Sequence, residues 1–213
     1  MLRSLLFLAM SAALWAESSK PTPGLTVVLD VKGASVSNQT LTEMQVEIRN
    51  ILKETGLQVD FKFRTELLPE ESFEDLILVQ FKGRCEMDQQ PVLFDERGPM
   101  ALAYTHTIEG GILPFSTVLC DQLKTSIRAA MWGEDFNRGN LLLGRAIGRV
   151  LSHEFFHILA NTSGHGKDGI ARRSLSAAQL IADHLNFNKF DANLLRMRAR
   201  QPQPEATLQM YLP

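Results

Sequence analysis

The sequence predicts an α+β fold: a mixed, twisted sheet of about five strands, packed against a backing helix and a long central helix, with further helices towards the C-terminal end. Three observations carry this. An apolar β-branched run, Leu25 to Val31, is followed by an amphipathic helix and then by alternating and apolar runs, so the chain opens as strand, helix, strand, strand. Two further strands emerge near 101–107 and 115–119 from a long polar connection that carries Pro91, Gly98 and Pro99. From Asn140 to about Asn161 the chain is apolar on more than one side, the pattern of a helix enclosed by neighbours.

The individual elements follow from their residues. Leu25 to Val31 (LTVVLDV) is bounded by Pro23-Gly24 and Lys32-Gly33 and reads as a buried strand. The next helix places Leu41, Met44, Ile48, Ile51 and Leu52 on one narrow stripe, with Thr40 and Glu43 at capping-box spacing, Gly56 as its stop and Val46 off the stripe. Leu57, Val59, Phe61 and Phe63 alternate with polar residues as a half-buried strand, and Asp75 to Phe81 offers a third. On the long helix, Gly144 and Gly148 stand one turn apart and leave a groove for close approach of another backbone. Ser176 to Phe187 and Asp191 to Ala199 read as two further helices. Arg138, Arg145 and Arg149 stand at near-helical spacing and read as a solvated face.

At 213 residues, 45% hydrophobic and 22% charged, the chain has an ordinary globular make-up, which excludes a disordered tail, a collagen-like rod and a multi-span membrane protein. A net charge of -2 without a Lys/Arg stripe gives no footprint for nucleic acid. The opening MLRSLLFLAMSAALWA has one early positive charge, an apolar run and small residues before a polar segment, the layout of a secretory signal peptide. Residues 1–16 are therefore expected to be removed after Ala16, with Ala13 as the other small-residue option, leaving no stable membrane anchor. One domain over 17–200 and a C-terminal tail over 201–213 complete the division. Only Glu17 to Gly24 lie between the expected cut and the first strand, so this reading includes no inhibitory pro-segment. Export to an oxidising compartment, secreted or periplasmic, makes a Cys85–Cys120 disulfide the expected state of the two cysteines.

Three of the five histidines fall close together: His153-Glu154-Phe155-Phe156-His157, then His165. The first five residues fit H-E-x-x-H. Spacing of i and i+4 stacks two imidazoles about 6 Å apart along one helix face, where both can reach one tetrahedral Zn2+. Glu154 points about 100° around the helix, near the metal's open position, where a general base belongs. His165 follows in the turn-rich stretch Asn161 to Gly166 and is the expected third ligand; Asp168, Asp183 and His184 are its rivals.

With these residues in place, the chain resembles the metzincin zinc metallopeptidases, and most the small matrixin-like or archaemetzincin-like catalytic domains, over approximately 25–187. The pattern H-E-x-x-H-x-x-G-x-x-H carries over as His153, Glu154 and His157. Departures follow: Ala160 stands at the turn glycine, Ser163 at the third histidine, and His165 comes two residues late, a longer turn for which Gly164 and Gly166 offer permissive backbone. The methionine turn that floors the site in this group is missing from the segment 166–175; Ile170 offers an apolar floor, and Met197 is a distant candidate.

The resemblance implies a secreted endopeptidase that uses one Zn2+ and takes a peptide or protein substrate along the edge strand near 101–107, with Tyr104 and His106 facing the cleft; a monomer is expected. Two alternatives stay open: an exported metal-binding or interaction domain without hydrolytic activity, and a gluzincin-like peptidase whose third ligand lies on the 176–187 helix.

Overall fold

A computed structural model describes residues 24–68, 71–73, 75–88, 100–199 and 206–207. The signal-peptide segment 1–16 and most of the tail lie outside these residues. In chain order the elements are β1 (Gly24–Asp30), β2 (Ser35–Val36), α1 (Asn38–Lys53), β3 (Gln58–Phe63), β4 (Ser72–Phe73), β5 (Leu76–Lys82), β6 (Arg84–Cys85), β7 (Ala103–Ile108), β8 (Gly111–Leu119), α2 (Cys120–Arg128), α3 (Gly139–Ala160), α4 (Ala177–Ile181), α5 (Lys189–Arg198) and β9 (Ala206–Thr207).

The main sheet has the order β3-β1-β5-β8-β7. The first four strands run parallel, and β7 pairs antiparallel with β8 at the edge, so the expected mixed five-stranded sheet is present. Strand β1 lies inside the sheet, between β3 and β5, and both of its faces are apolar. Leu25, Val27 and Leu29 join the main core under the helices, while Val28 meets Phe73 and Leu76 on the opposite face. The β7–β8 hairpin turns on Glu109 and Gly110, both at positive φ (47° and 81°), the geometry that favours a tight two-residue loop.

The N-cap of α1 lies three residues before the expected one, Thr40. Ser37 is the N-cap, its Oγ accepting the Thr40 backbone N–H at 3.1 Å, while Thr40 itself is buried and donates towards the Asn140 carbonyl. Met44, Ile48, Ile51 and Leu52 are buried as their spacing requires, and Gly56 ends the helix at φ 78°. The glycine pair on α3 explains how closely the two long helices approach. A Cβ at Gly144 would stand 2.5 Å from the Thr40 carbonyl oxygen, and one at Gly148 would stand 2.8 Å from the Glu47 Cβ. No side chain fits there.

Four sequence expectations need correction. The strand expected at 115–119 extends back to Gly111, because the positive-φ turn at 109–110 folds the whole segment onto β7. A helix that the sequence reading omitted, α2, follows β8 directly and buries Cys120, Leu123 and Ile127. The helix expected over 176–187 is limited to α4, since Ala182 leaves helical geometry and α3 arginines take the carbonyls that a longer helix would use. The tail is not wholly frayed: Ala206–Thr207 pairs antiparallel with Ser72–Phe73.

Arg149, expected on a solvated face, is fully buried. It pairs with Glu47 of α1 at 2.7 Å and donates to the carbonyls of Gln179 and Ala182, so its charge is met on two sides. Burial pushes its guanidinium pKa down, against the pull of Glu47. Arg145 also turns inwards, to the carbonyls of Ile181 and Ala182 and to Asp183, whereas Arg138 reaches only Asp135 at the surface.

Cys85 and Cys120 form the expected disulfide, with Cα atoms 5.0 Å apart across 35 residues. A loop of this length corresponds to about 3 to 4 kcal/mol in the chain-entropy description. The bond fastens β6 to the first residue of α2. Among the described residues no helix is long and apolar enough to cross a membrane.

Candidate metal centre and its cleft

The last turns of α3 carry His153, Glu154 and His157 to the surface of the core. Each of the two imidazoles is held by a backbone carbonyl: His153 Nδ1 lies 2.9 Å from the Ile170 oxygen and His157 Nδ1 lies 2.7 Å from the Thr162 oxygen. A carbonyl only accepts, so both Nδ1 atoms are the protonated ones and both Nε2 atoms present lone pairs. Those Nε2 atoms face each other at 3.1 Å. Two acceptors at this distance repel unless a proton or a metal ion lies between them. Two nitrogens on one tetrahedral zinc, each about 2 Å from the ion, stand about 3.3 Å apart, close to what is found here.

His165 completes the cluster. Its ring lies 5.3 Å from that of His153 and 4.8 Å from that of His157, centroid to centroid, and the ligand atoms of all three fall within 4.8 Å of one another. The rivals are elsewhere engaged: Asp168 accepts from Asn188, Asp183 pairs with Arg145, and His184 is exposed beyond the end of α4. Among the described residues, the three histidines are the one group with this proximity.

The turn that returns His165 differs from the sequence expectation. Asn161, not a glycine, adopts the left-handed conformation, at φ 47°, and caps α3. Thr162 N–H then donates to the His157 carbonyl, and the Thr162 hydroxyl accepts from Gly164. Gly164 and Gly166 do not have positive φ. Gly166 is required for space: a Cβ there would meet Asp191 Oδ2 at 2.3 Å. Ile170 is fully buried, and its contribution to the site is the carbonyl that orients His153. Met197 is 61% exposed on α5, too open to floor a buried site.

Burial holds the imidazoles of His153 and His165 below their ordinary pKa, and mutual repulsion within the cluster adds to it. Glu154, only 8% exposed, is pushed the other way, its carboxyl raised by burial and drawn partly back by the Thr105 hydroxyl. That hydroxyl donates to Oε2 at 2.6 Å.

The centre opens into a cleft of about 1000 Å³, walled by β7, α2, α3 and the segment 172–175. Strand β7 is the terminal strand of the sheet, paired through β8 on one side. Alternation along β7 separates the two residues singled out in the sequence from the one that touches Glu154. Tyr104 borders the cleft, but His106 does not line it. Its Nε2 lies 2.9 Å from Thr117 Oγ1, and its ring is tilted by 42° against that of Tyr104, with the centroids 5.1 Å apart. Thr105 and Thr107 line the cleft instead. Thr105 was missed because the aromatic and imidazole groups of its neighbours drew attention away from it; of those two, Tyr104 does border the cleft and His106 does not. The period of two, anchored on a Glu154 contact, is the signal that would have found it.

No family model matches the chain, and no curated protein matches it. The functional reading therefore stands on the site.

Proposed function

We propose that the protein is a zinc-dependent endopeptidase, exported from the cell and acting on peptide or protein substrates. The observation that carries this reading is the convergence of three histidine ligand atoms beside a buried glutamate whose carboxylate belongs to none of them. Three neutral nitrogen donors with room for a fourth partner suit a catalytic zinc site, and the facing Nε2 lone pairs of His153 and His157 supply the physical demand for a cation. His153, His157 and His165 would hold the ion. Zinc so held supplies Lewis acidity, drawing the pKa of a water towards about 7 and polarising a peptide carbonyl.

The chain's own groups do the rest. Thr105 occupies Oε2 of Glu154, leaving Oε1 to take a proton from the attacking water and to deliver it to the departing amide nitrogen. Burial strengthens the carboxylate as a base, since its charged form is poorly solvated. The carbonyls of Ile170 and Thr162 keep both helix imidazoles in the tautomer that ligates through Nε2. The free edge of β7 offers backbone groups to an extended peptide, and Tyr104 at the border of the cleft is placed to contact it. The disulfide fits an oxidising compartment, which supports export.

The test is turnover of a mixed peptide library by wild-type protein, by chelator-treated protein and by Glu154→Gln. Cleavage is expected from the first alone, returning when zinc is restored to the second. Cleavage by Glu154→Gln would overturn the mechanism, and no cleavage by zinc-loaded wild type across the library would overturn the function.

A further inference from the structure

Two arginines stand out by having nothing to do. Among the described residues, neither Arg172 nor Arg173 forms an ion pair or a side-chain hydrogen bond, whereas the other arginines are engaged by carboxylates, carbonyls, an aromatic ring or other contacts. Both free residues line the cleft. An arginine without a partner is ordinary on an open surface, but two in sequence on the wall of the candidate site call for an explanation.

Their backbone is fixed. Gly166 N–H donates to the Ala171 carbonyl at 2.8 Å, Ile170 N–H donates to the Asn186 carbonyl at 3.1 Å, and Ile170 and Ala171 are fully buried. Gly169, at φ 66°, packs so tightly against the Asn186 carbonyl that a Cβ would stand 2.5 Å from it. The arginines follow this anchored turn at once. Because the Ile170 carbonyl holds His153, the Cα atoms of Arg172 and Arg173 lie no more than roughly 11 Å along the chain from that anchor.

The other charges of the cleft do not neutralise them. Asp121 on the α2 wall is committed to Lys124 at 2.9 Å and to the Arg84 backbone N–H. That leaves two guanidiniums against the single carboxylate of Glu154, whose Thr105 partner is neutral, so the cleft keeps a net positive charge, carried on the 172–173 wall.

We propose that Arg172 and Arg173 form a carboxylate-recognition subsite, so that the preferred substrate is a peptide with a carboxylate within a few residues of the scissile bond. This rests on the peptidase reading and specifies its substrate class. The planar guanidinium fork matches a carboxylate in bidentate geometry, and Arg172, the half-buried member of the pair, is screened less than the exposed Arg173. The carboxylate comes either from an Asp or Glu side chain or from the free C-terminus of the peptide.

Binding can be read without turnover, by fluorescence anisotropy on zinc-loaded Glu154→Gln protein. The probes are labelled pentapeptides that carry Glu, Gln or Lys at each position in turn, with free or amidated C-termini. A carboxylate is expected to tighten binding about ten-fold over its amide counterpart. That advantage should vanish in Arg172→Gln/Arg173→Gln. In Arg172→Glu/Arg173→Glu the preference should move to the Lys peptides, a gain that misfolding cannot imitate. A preference confined to internal Glu assigns the subsite to side chains, and one confined to free C-termini assigns it to the α-carboxylate. Equal affinity for acid and amide peptides, or a preference that survives the double Gln substitution, overturns the proposal. Cleavage by wild type irrespective of carboxylates would sink this inference alone; carboxylate-dependent binding with no cleavage by wild type would sink the peptidase reading alone.

Discussion

The Thr105 hydroxyl donates to Glu154 Oε2 across 2.6 Å, joining the edge strand β7 to the one carboxylate on the exposed end of α3. The strand that borders the cleft and the proposed base thus share a hydrogen bond. The β7–β8 register slips between Thr105 and Thr107, opposite the stretch that contains Pro114, which has no N–H to give to the ladder. This irregularity lies beside the glutamate that Thr105 holds.

Thr105→Val removes the donor while keeping the shape of the side chain. Glu154 would lose its fixed orientation, and kcat should fall by about ten-fold with KM and bound zinc little changed. Thr105→Ser should restore most of the loss. An unchanged kcat in the valine variant would show that Thr105 has no part in positioning the base.

Gly144→Ala sets helix propensity against packing. Alanine gains about 1 kcal/mol in a free helix, but its Cβ would stand 2.5 Å from the Thr40 carbonyl, a backbone atom that cannot rotate away. Overpacking of this kind costs about 1 to 3 kcal/mol, so net destabilisation is expected in urea unfolding. A more stable variant would mean that α1 and α3 are not in the contact described.

Asp191 gives a pH-dependent prediction. Its carboxyl is 2% exposed, its Oδ2 has no hydrogen-bond partner, and burial raises its pKa, with Asp168 adding to the effect. A raised folded pKa means that the folded state holds the proton more tightly than the unfolded chain. The associated stability is complete below the ordinary carboxylate value and is lost as pH rises through the folded value. Asp191→Asn has no such dependence. Its melting temperature relative to wild type should therefore climb between pH 3 and pH 7, and a constant difference would mean that Asp191 is solvated.

The long helix and its histidine pair were legible because they rest on local periodicity: the apolar surround of α3, the i, i+4 histidines and the glycine pair all have short-range signatures. The mixed sheet of five strands and the disulfide were also expected, from apolar and alternating runs and from two otherwise lone cysteines, whereas the strand order was not part of the reading. What escaped depended on contacts distant in sequence. Arg149 read as solvated because nothing near it in the chain announces Glu47 or the α4 carbonyls. Helix α2 was hidden by its shortness, although Cys120, Leu123 and Ile127 do keep a helical interval. The return of His165 was foreseen, yet the left-handed residue proved to be Asn161, a choice that the two nearby glycines obscured.

His153, His157 and His165 are proposed to cradle one metal ion while leaving Glu154 free. Calorimetric titration of metal-free protein with Zn2+, in wild type, Glu154→Gln and the single alanine variants of His153, His157 and His165, decides whether they do. One zinc per chain is expected in wild type and in Glu154→Gln, with at least about hundred-fold weaker binding when any of the three histidines is removed. Retention of wild-type affinity in His165→Ala, or loss of zinc in Glu154→Gln, would rule the cradle out.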